Sequence, residues 1–278
     1  MNTMALMAGA RRYPTIAIGA VMLTLIASLA LLAPWISGDP LVFEPINRLK
    51  PPSSEFLLGT DNLGRDIYAR TLHGARISLA VGISVASIAI ACGAVIGLLA
   101  GYLSKVDAFV MRIMDGIMAI PAILLAIALV ALMGASVKVV IIAIAIPEVP
   151  RVTRLVRSVV LSVRALPYVE AARSNGTRLT RLLGRHILPS TVAPLIVQAT
   201  YICASAILTE AGLSFLGAGT PSEFPTWGNM IASSRLYLQI APWTILAPGI
   251  CLALVVLSVN LLGDGLRDRL DPRISRRM

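Results

Sequence analysis

The chain reads as an all-α, polytopic membrane protein with six transmembrane helices and both termini on the cytoplasmic side. Three observations predict this fold class: an apolar excess that no soluble core requires, six apolar runs, and arginines concentrated in alternate loops. Of 278 residues, 57% are hydrophobic and 14% charged, against about 45–50% and about 25% in soluble domains. Side chains in such excess need a non-aqueous surrounding, which excludes a soluble enzyme, a disordered chain and a disulfide-stapled secreted domain. Cys92, Cys203 and Cys251 stand alone in apolar stretches without CxxC spacing, and read as buried small hydrophobes.

A helix needs about 20 apolar residues to cross a bilayer. The first run is 16–34, preceded by Arg11 and Arg12. A cleaved leader would carry an apolar stretch of about 7–15 residues and a small-residue cleavage site. This run is longer and ends in Pro34 and Trp35, so it reads as a retained span. The second run is 77–103, where Ala89, Gly93, Gly97 and Gly101 recur every four residues. Such a face lets another helix approach backbone to backbone. The third run is 109–133, with a kink expected at Pro121. Arg112 and Asp115 near its start have the spacing to pair on one face. The fourth, Val137 to Val149, is short and interrupted by Pro147 and Pro150, and is expected to continue into 151–157. The fifth is 190–215 and the sixth 243–263.

Charge orients these runs. Residues 151–189 hold eight arginines against Glu170 alone, and the tail from Asp264 holds five arginines against three aspartates. Segments 35–76 and 217–242 are balanced. Lys and Arg favour cytoplasmic loops, which places the N-terminus, the 151–189 loop and the tail inside. Six crossings return both ends to one side, so count and charge agree. Trp35, Trp227 and Trp243 all fall on the opposite side, two of them at span ends as an aromatic belt would have them.

Catalytic motifs are missing. None of Lys50, Lys105 and Lys138 follows a glycine, so there is no P-loop. Neither His73 nor His186 begins HExxH, and no GxSxG appears. The acids in or near the spans, Asp115, Glu148 and Glu210, are poor material for an intramembrane enzyme. A secondary transporter would want more of them for ion coupling. Glu210 is a candidate pathway or gate residue, because an acid in a span is a functional candidate by default. At about 20 residues from the cytoplasmic end, it also fits the outer headgroup zone.

The loop from Leu166 to Pro189 is the most informative stretch. Pro167 suits the first turn of a helix, and Glu170 in that turn is favoured by the helix dipole. Ala171 and Ala172 leave a smooth surface. Gly176 can end the helix in a left-handed conformation, and Thr177 can cap the next helix. There, Leu179, Leu182 and Leu183 form an apolar stripe, with Arg178, Arg181 and Arg185 on another face. A basic loop resting on anionic lipid is one reading. A small-residue helix with one acid also suits a groove on a protein partner.

Glu170-Ala171-Ala172, then three residues to Gly176, then nine to His186-Ile187-Leu188-Pro189, resembles the EAA loop of permease subunits of bacterial ABC importers. Pro150-Arg151 stands where that family has Ala-Arg. Three further stretches resemble the C-type permease of dipeptide and oligopeptide importers. These are Leu58 to Asp66 running on to Gly74–Leu79, Glu210 to Gly217 with Pro225 to Met230, and Asn260 to Asp268 ending in Asp271-Pro272-Arg273.

The resemblance implies a type I ABC importer permease fold. Residues 1–76 would be an N-terminal helix plus an outer segment, and 77–278 a five-helix core with its coupling loop at 164–189. It implies no activity as an enzyme and no cofactor in this chain, ATP and Mg being bound by two partner ATPase subunits. Other implied partners are a second permease, a different chain in the family pattern, an extracytoplasmic solute-binding protein and the bilayer of the bacterial inner membrane; nucleic acid is not among them. Glu170, Ala171, Ala172, Gly176, His186, Leu188 and Pro189 would couple to the ATPases. His186 has loop packing as its alternative. Asp61, Arg65 and Asp66 are candidates to face the binding protein; the alternative makes Asp61 a helix N-cap and the other two a solvated face. Peptides are the implied solute, with nickel, glutathione or another small solute as alternatives.

Overall fold

The computed structural model describes residues 14–221 and 223–270. Arg11, Arg12, Asp271, Pro272 and Arg273 lie outside the described residues. The helices are α1 (Pro14–Ile36), α2 (Ile67–Tyr102), α3 (Ser104–Met118), α4 (Ala122–Met133), α5 (Val137–Val163), α6 (Pro167–Ser174), α7 (Leu179–Phe215), α8 (Trp227–Ser234) and α9 (Trp243–Leu270). No strand occurs among the described residues. Four helices, α1, α2, α7 and α9, are long and apolar enough to span a membrane, and α3 with α4 qualifies as a fifth, broken one.

Three elements depart from the sequence reading. Helix α2 starts at Ile67, ten residues before its apolar run, and its 36 residues extend about 54 Å. The Asp66 carboxylate starts it early by accepting the Tyr68 amide at 2.9 Å. At Pro121 the expected kink is a full break, with α3 and α4 at 85°. Pro121 is extended (φ −55°, ψ 128°) and has no N–H to continue the ladder. Conversely, Pro147 and Pro150 do not interrupt α5, which runs unbroken for 27 residues. Both prolines are buried, so packing holds the helix across the amides they lack. Lys138, Glu148, Arg151, Arg154 and Arg157 interrupt its apolar character.

The α2–α5 pair makes the most extensive helix contact. The small-residue face of α2 is what permits it. A Cβ on Gly93 would lie 2.5 Å from Val152 Cβ, one on Gly97 would lie 2.7 Å from the Thr153 carbonyl, and one on Gly101 would lie 2.7 Å from Val160 Cβ. Ala89 is fully buried. Lipid tails are as apolar as valine, so such helices associate through close van der Waals packing. The stripe meets this chain's own α5. The same close approach seats α1 on α9 (Gly19 against Ser258 and Leu262) and α2 on α7 (Gly82 against Cys203 and Ile207). Cys92 is exposed, unlike half-buried Cys203 and Cys251.

Arg112 and Asp115 do not pair. Asp115 accepts from Arg154 of α5, and Asp107 takes a two-pronged contact from Arg157. Helices α3 and α5 face each other here, which brings a partner 39 residues away within reach. Trp227 is not an interfacial belt residue. It is fully buried, its indole Nε1 donating to the Thr71 carbonyl at 3.0 Å. Trp35 is exposed, and Trp243 donates to the Thr60 carbonyl.

Candidate functional site

Helix α6 stands on the loop that joins α5 to α7. Arg164 prepares its base: Nη1 donates to the Gly101 carbonyl at 2.9 Å, satisfying an acceptor that the end of α2 leaves open. Pro167 opens α6, where its missing N–H removes no bond. Glu170 lies in the first turn and Arg173 in the last, each matching the local end of the helix dipole.

The two faces of α6 divide the motif. Val169 (1% exposed) and Ala172 (9% exposed) turn inward and join the main core with Val163, Leu182, Leu183 and Ile187. Glu170, Ala171, Arg173 and Ser174 turn outward. Ala172 therefore seats the helix, while Glu170 and Ala171 stand on its exposed face. Gly176 has φ +74°. Its amide donates to the Arg173 carbonyl and that of Thr177 to the Ala172 carbonyl. This is a Schellman ending, in which a left-handed residue closes the last turn.

Thr177 does not cap the next helix. Arg178 occupies that position and makes no side-chain cap bond. Leu179 of the predicted stripe is exposed, whereas Leu182 and Leu183 are buried. Residues Leu182–Ile187 form a π-helical turn, a deviation frequent at functional sites. His186 lies in it, half-buried, and its carbonyl accepts from the Tyr168 hydroxyl at 3.3 Å. Leu188 follows half-buried and Pro189 exposed. Beside α6, a cavity of about 490 Å³ is lined by Tyr102, Ser104, Arg164, Glu170 and Arg173. Arg164 escaped the sequence reading, since its partner lies 63 residues away.

At the opposite end of α2, Asp61 closes a turn. Its carboxylate accepts from the amides of Leu63 and Arg65 and from Arg65 Nε at 2.7 Å. Arg70 stands 3.7 Å off. Asp61 and Arg65 are buried, so neither offers a side chain outward and neither is a solvated face. Asp66, not Asp61, is the helix cap. Burial pushes the Asp66 carboxyl above the ordinary aspartate value, against the pull of the Tyr68 and Ala69 amides.

Glu210 is also enclosed, at 1% exposure. Its Oε1 accepts from Ser214 (2.8 Å), Thr220 (3.3 Å) and Thr226 (2.8 Å). This candidate pathway or gate residue therefore lies off the surface of the chain, held by these hydroxyls.

Residues 93–276 match the family described as the binding-protein-dependent transport system inner membrane component. The chain belongs to that family, an ABC permease of the bacterial inner membrane and not an enzyme. Family membership brings ATPase and solute-binding partners with it. The chain is 60% identical over 268 residues to the "Probable peptide ABC transporter permease protein" of Sinorhizobium fredii, covering 96% of this chain and 92% of that one. It is 45% identical to the dipeptide transport system permease protein of Alkalihalophilus pseudofirmus (92% and 85% covered). It is 42% identical to the glutathione transport system permease protein of Pectobacterium atrosepticum (95% and 88% covered).

Proposed function

We propose that this chain forms half of the translocation pathway of an ATP-driven peptide importer and receives its energy through the 164–189 loop. Six crossings are assigned, counting broken α3–α4 as one and α5 as another. Two contacts support the count. Gly265 of α9 lies against Thr15 and Ile16 of α1, so the start of α1 and the end of α9 share a side. Helices α2 and α5 run in the same direction, Gly93, Gly97 and Gly101 meeting Val152, Val156 and Val160 in turn, so α3–α4 carries the chain back between them. The arginine-rich loop and tail support a cytoplasmic location for the shared side.

A second, different permease chain completes the pathway, and two ATPase subunits hold ATP and Mg beneath it. Their contact surface is Glu170, Ala171 and the turn at Gly176. Ala172, Leu188 and Pro189 shape this surface from behind, and His186 packs the π turn. A solute-binding protein delivers to the outer side. Peptide as solute rests on the names of the relatives, and the relative that transports glutathione makes that tripeptide the second reading.

The observation that carries this function is the outward Glu170 on a helix anchored by Val169 and Ala172. The test is uptake of a labelled dipeptide, a labelled pentapeptide and glutathione in cells lacking this chain, restored with wild type or Glu170→Ala. Wild type is expected to rescue peptide uptake. The variant should assemble with its partners and fail to transport. Rescue by the variant equal to wild type refutes the coupling role, and rescue of glutathione alone moves the solute.

A further inference from the structure

Glu210 has no part in the loop just described, yet it is a carboxylate buried near the end of a spanning helix, where a charge is costly. Its surroundings show what it holds. Helix α7 ends at a left-handed Gly217 (φ +81°). The Gly217 amide donates to the Ser214 carbonyl and that of Ala218 to the Leu213 carbonyl. The reversed chain runs back over Glu210, bringing Thr220 and Thr226 onto the oxygen that Ser214 already reaches.

Thr226 is also the N-cap of α8, its Oγ1 accepting the Asn229 amide at 3.1 Å. The Asn229 side chain donates to the carbonyls of Thr220 and Pro221 and ties the same segment from its other end. Trp227 then anchors α8 on α2. Its indole reaches the Thr71 carbonyl and its amide reaches the Ser78 hydroxyl at 3.3 Å. Gly228 lies so close to α7 that a Cβ there would be 2.4 Å from Ala211 Cα. One carboxylate oxygen thus fastens three points of a 13-residue stretch, Ser214, Thr220 and Thr226. An apolar side chain of similar volume would fill the space and fasten none.

We propose that Glu210 is a positioning residue of the transport cycle, joining the outer cap 218–234 to α7 so that the two move as one body. Helix α7 begins at Leu179, three residues beyond Gly176, and reaches Glu210 about 46 Å further on. The inference rests on the reading of 164–189 as the ATPase contact. A displacement received there travels along α7 and, through Glu210, to the seat of Trp227 on α2.

The test uses the complete transporter in proteoliposomes with its binding protein and a labelled dipeptide or pentapeptide. Glu210→Gln keeps an acceptor oxygen for the hydroxyls and is expected to behave as wild type. Glu210→Met keeps the volume without the acceptor. It is expected to assemble and keep basal ATP hydrolysis, while uptake and stimulation of hydrolysis by the binding protein fall within the roughly 5–150-fold range of inter-site couplings. Stimulation and uptake at wild-type levels in Glu210→Met overturn the proposal. If that variant does not assemble, Thr226→Val is read by the same criterion; if neither assembles, the joint is only structural and the proposal also falls. A wild-type complex that is stimulated but carries neither a dipeptide nor a pentapeptide overturns the peptide reading alone and leaves the Glu210 test standing on stimulation. Wild-type behaviour of Glu170→Ala in this assay overturns the coupling reading separately.

Discussion

The seam between α2 and α5 can be opened with a single leucine. At Gly97 the first added carbon would lie 2.7 Å from the Thr153 carbonyl oxygen and 2.8 Å from Val156 Cβ, where ordinary contact begins at 3.4 Å. The carbonyl is backbone and cannot rotate away, so the helices must part by about 0.7 Å for that carbon alone. A gap of roughly 0.5–1 Å forfeits a quarter to a half of the dispersion energy across it. Val152, Val156 and Val160, all fully buried, line the facing side. Overpacking of this kind costs about 1–3 kcal/mol, and Gly97→Leu, with three more carbons to place, belongs at the upper end. Gly116→Leu on α3 is the matched control, since nothing lies within 4 Å of its added carbon. It carries the same change in helix propensity. Reversible denaturation in mixed micelles should place Gly97→Leu about 3 kcal/mol below Gly116→Leu, with Gly97→Ala between them. Equal stability of the two leucine variants would refute the argument that the glycine stripe exists for this contact.

Three other outcomes follow from the geometry. Gly176→Ala forces an L-residue to φ +74° at a cost of about 1–2 kcal/mol; it should loosen α6, read as faster amide exchange there and weaker copurification of the ATPase subunits. Trp227→Phe keeps most of the buried ring and removes the donor to Thr71, a loss of about 1 kcal/mol, whereas Trp227→Ala adds a cavity and should cost about 3–5 kcal/mol; thermal unfolding of the purified complex separates the two. Removing Arg157 and Asp107 singly and together should give a coupling energy of about 0.5–1 kcal/mol, because the pair is part-buried and two-pronged; a cycle that closes to zero would show that the pair does not hold α3 to α5.

Much of the architecture was legible because its signals are local. An apolar run states its own length, a glycine every fourth residue states a face, and Gly176 after a short helix states a left-handed ending. The arginine asymmetry and the Glu170-Ala171-Ala172 motif marked out the 164–189 loop without any tertiary information. Spacing, however, supplies reach and not choice. Asp115 could reach Arg112 along its own helix, and Arg154 took it because α5 arrives on that side. Ala171 and Ala172 are identical in sequence terms, and only the core beneath α6 decided which turns outward. Two prolines in α5 and one at 121 carry the same local penalty. Burial against neighbouring helices absorbed it at Pro147 and Pro150, while at Pro121 the chain broke. Likewise, Asp61 and Asp66 compete for one cap, and Glu210 needs a reversed chain to gather its hydroxyls. Composition and periodicity determined that this chain lives in a membrane; which side chains hold it together was decided only where distant helices met.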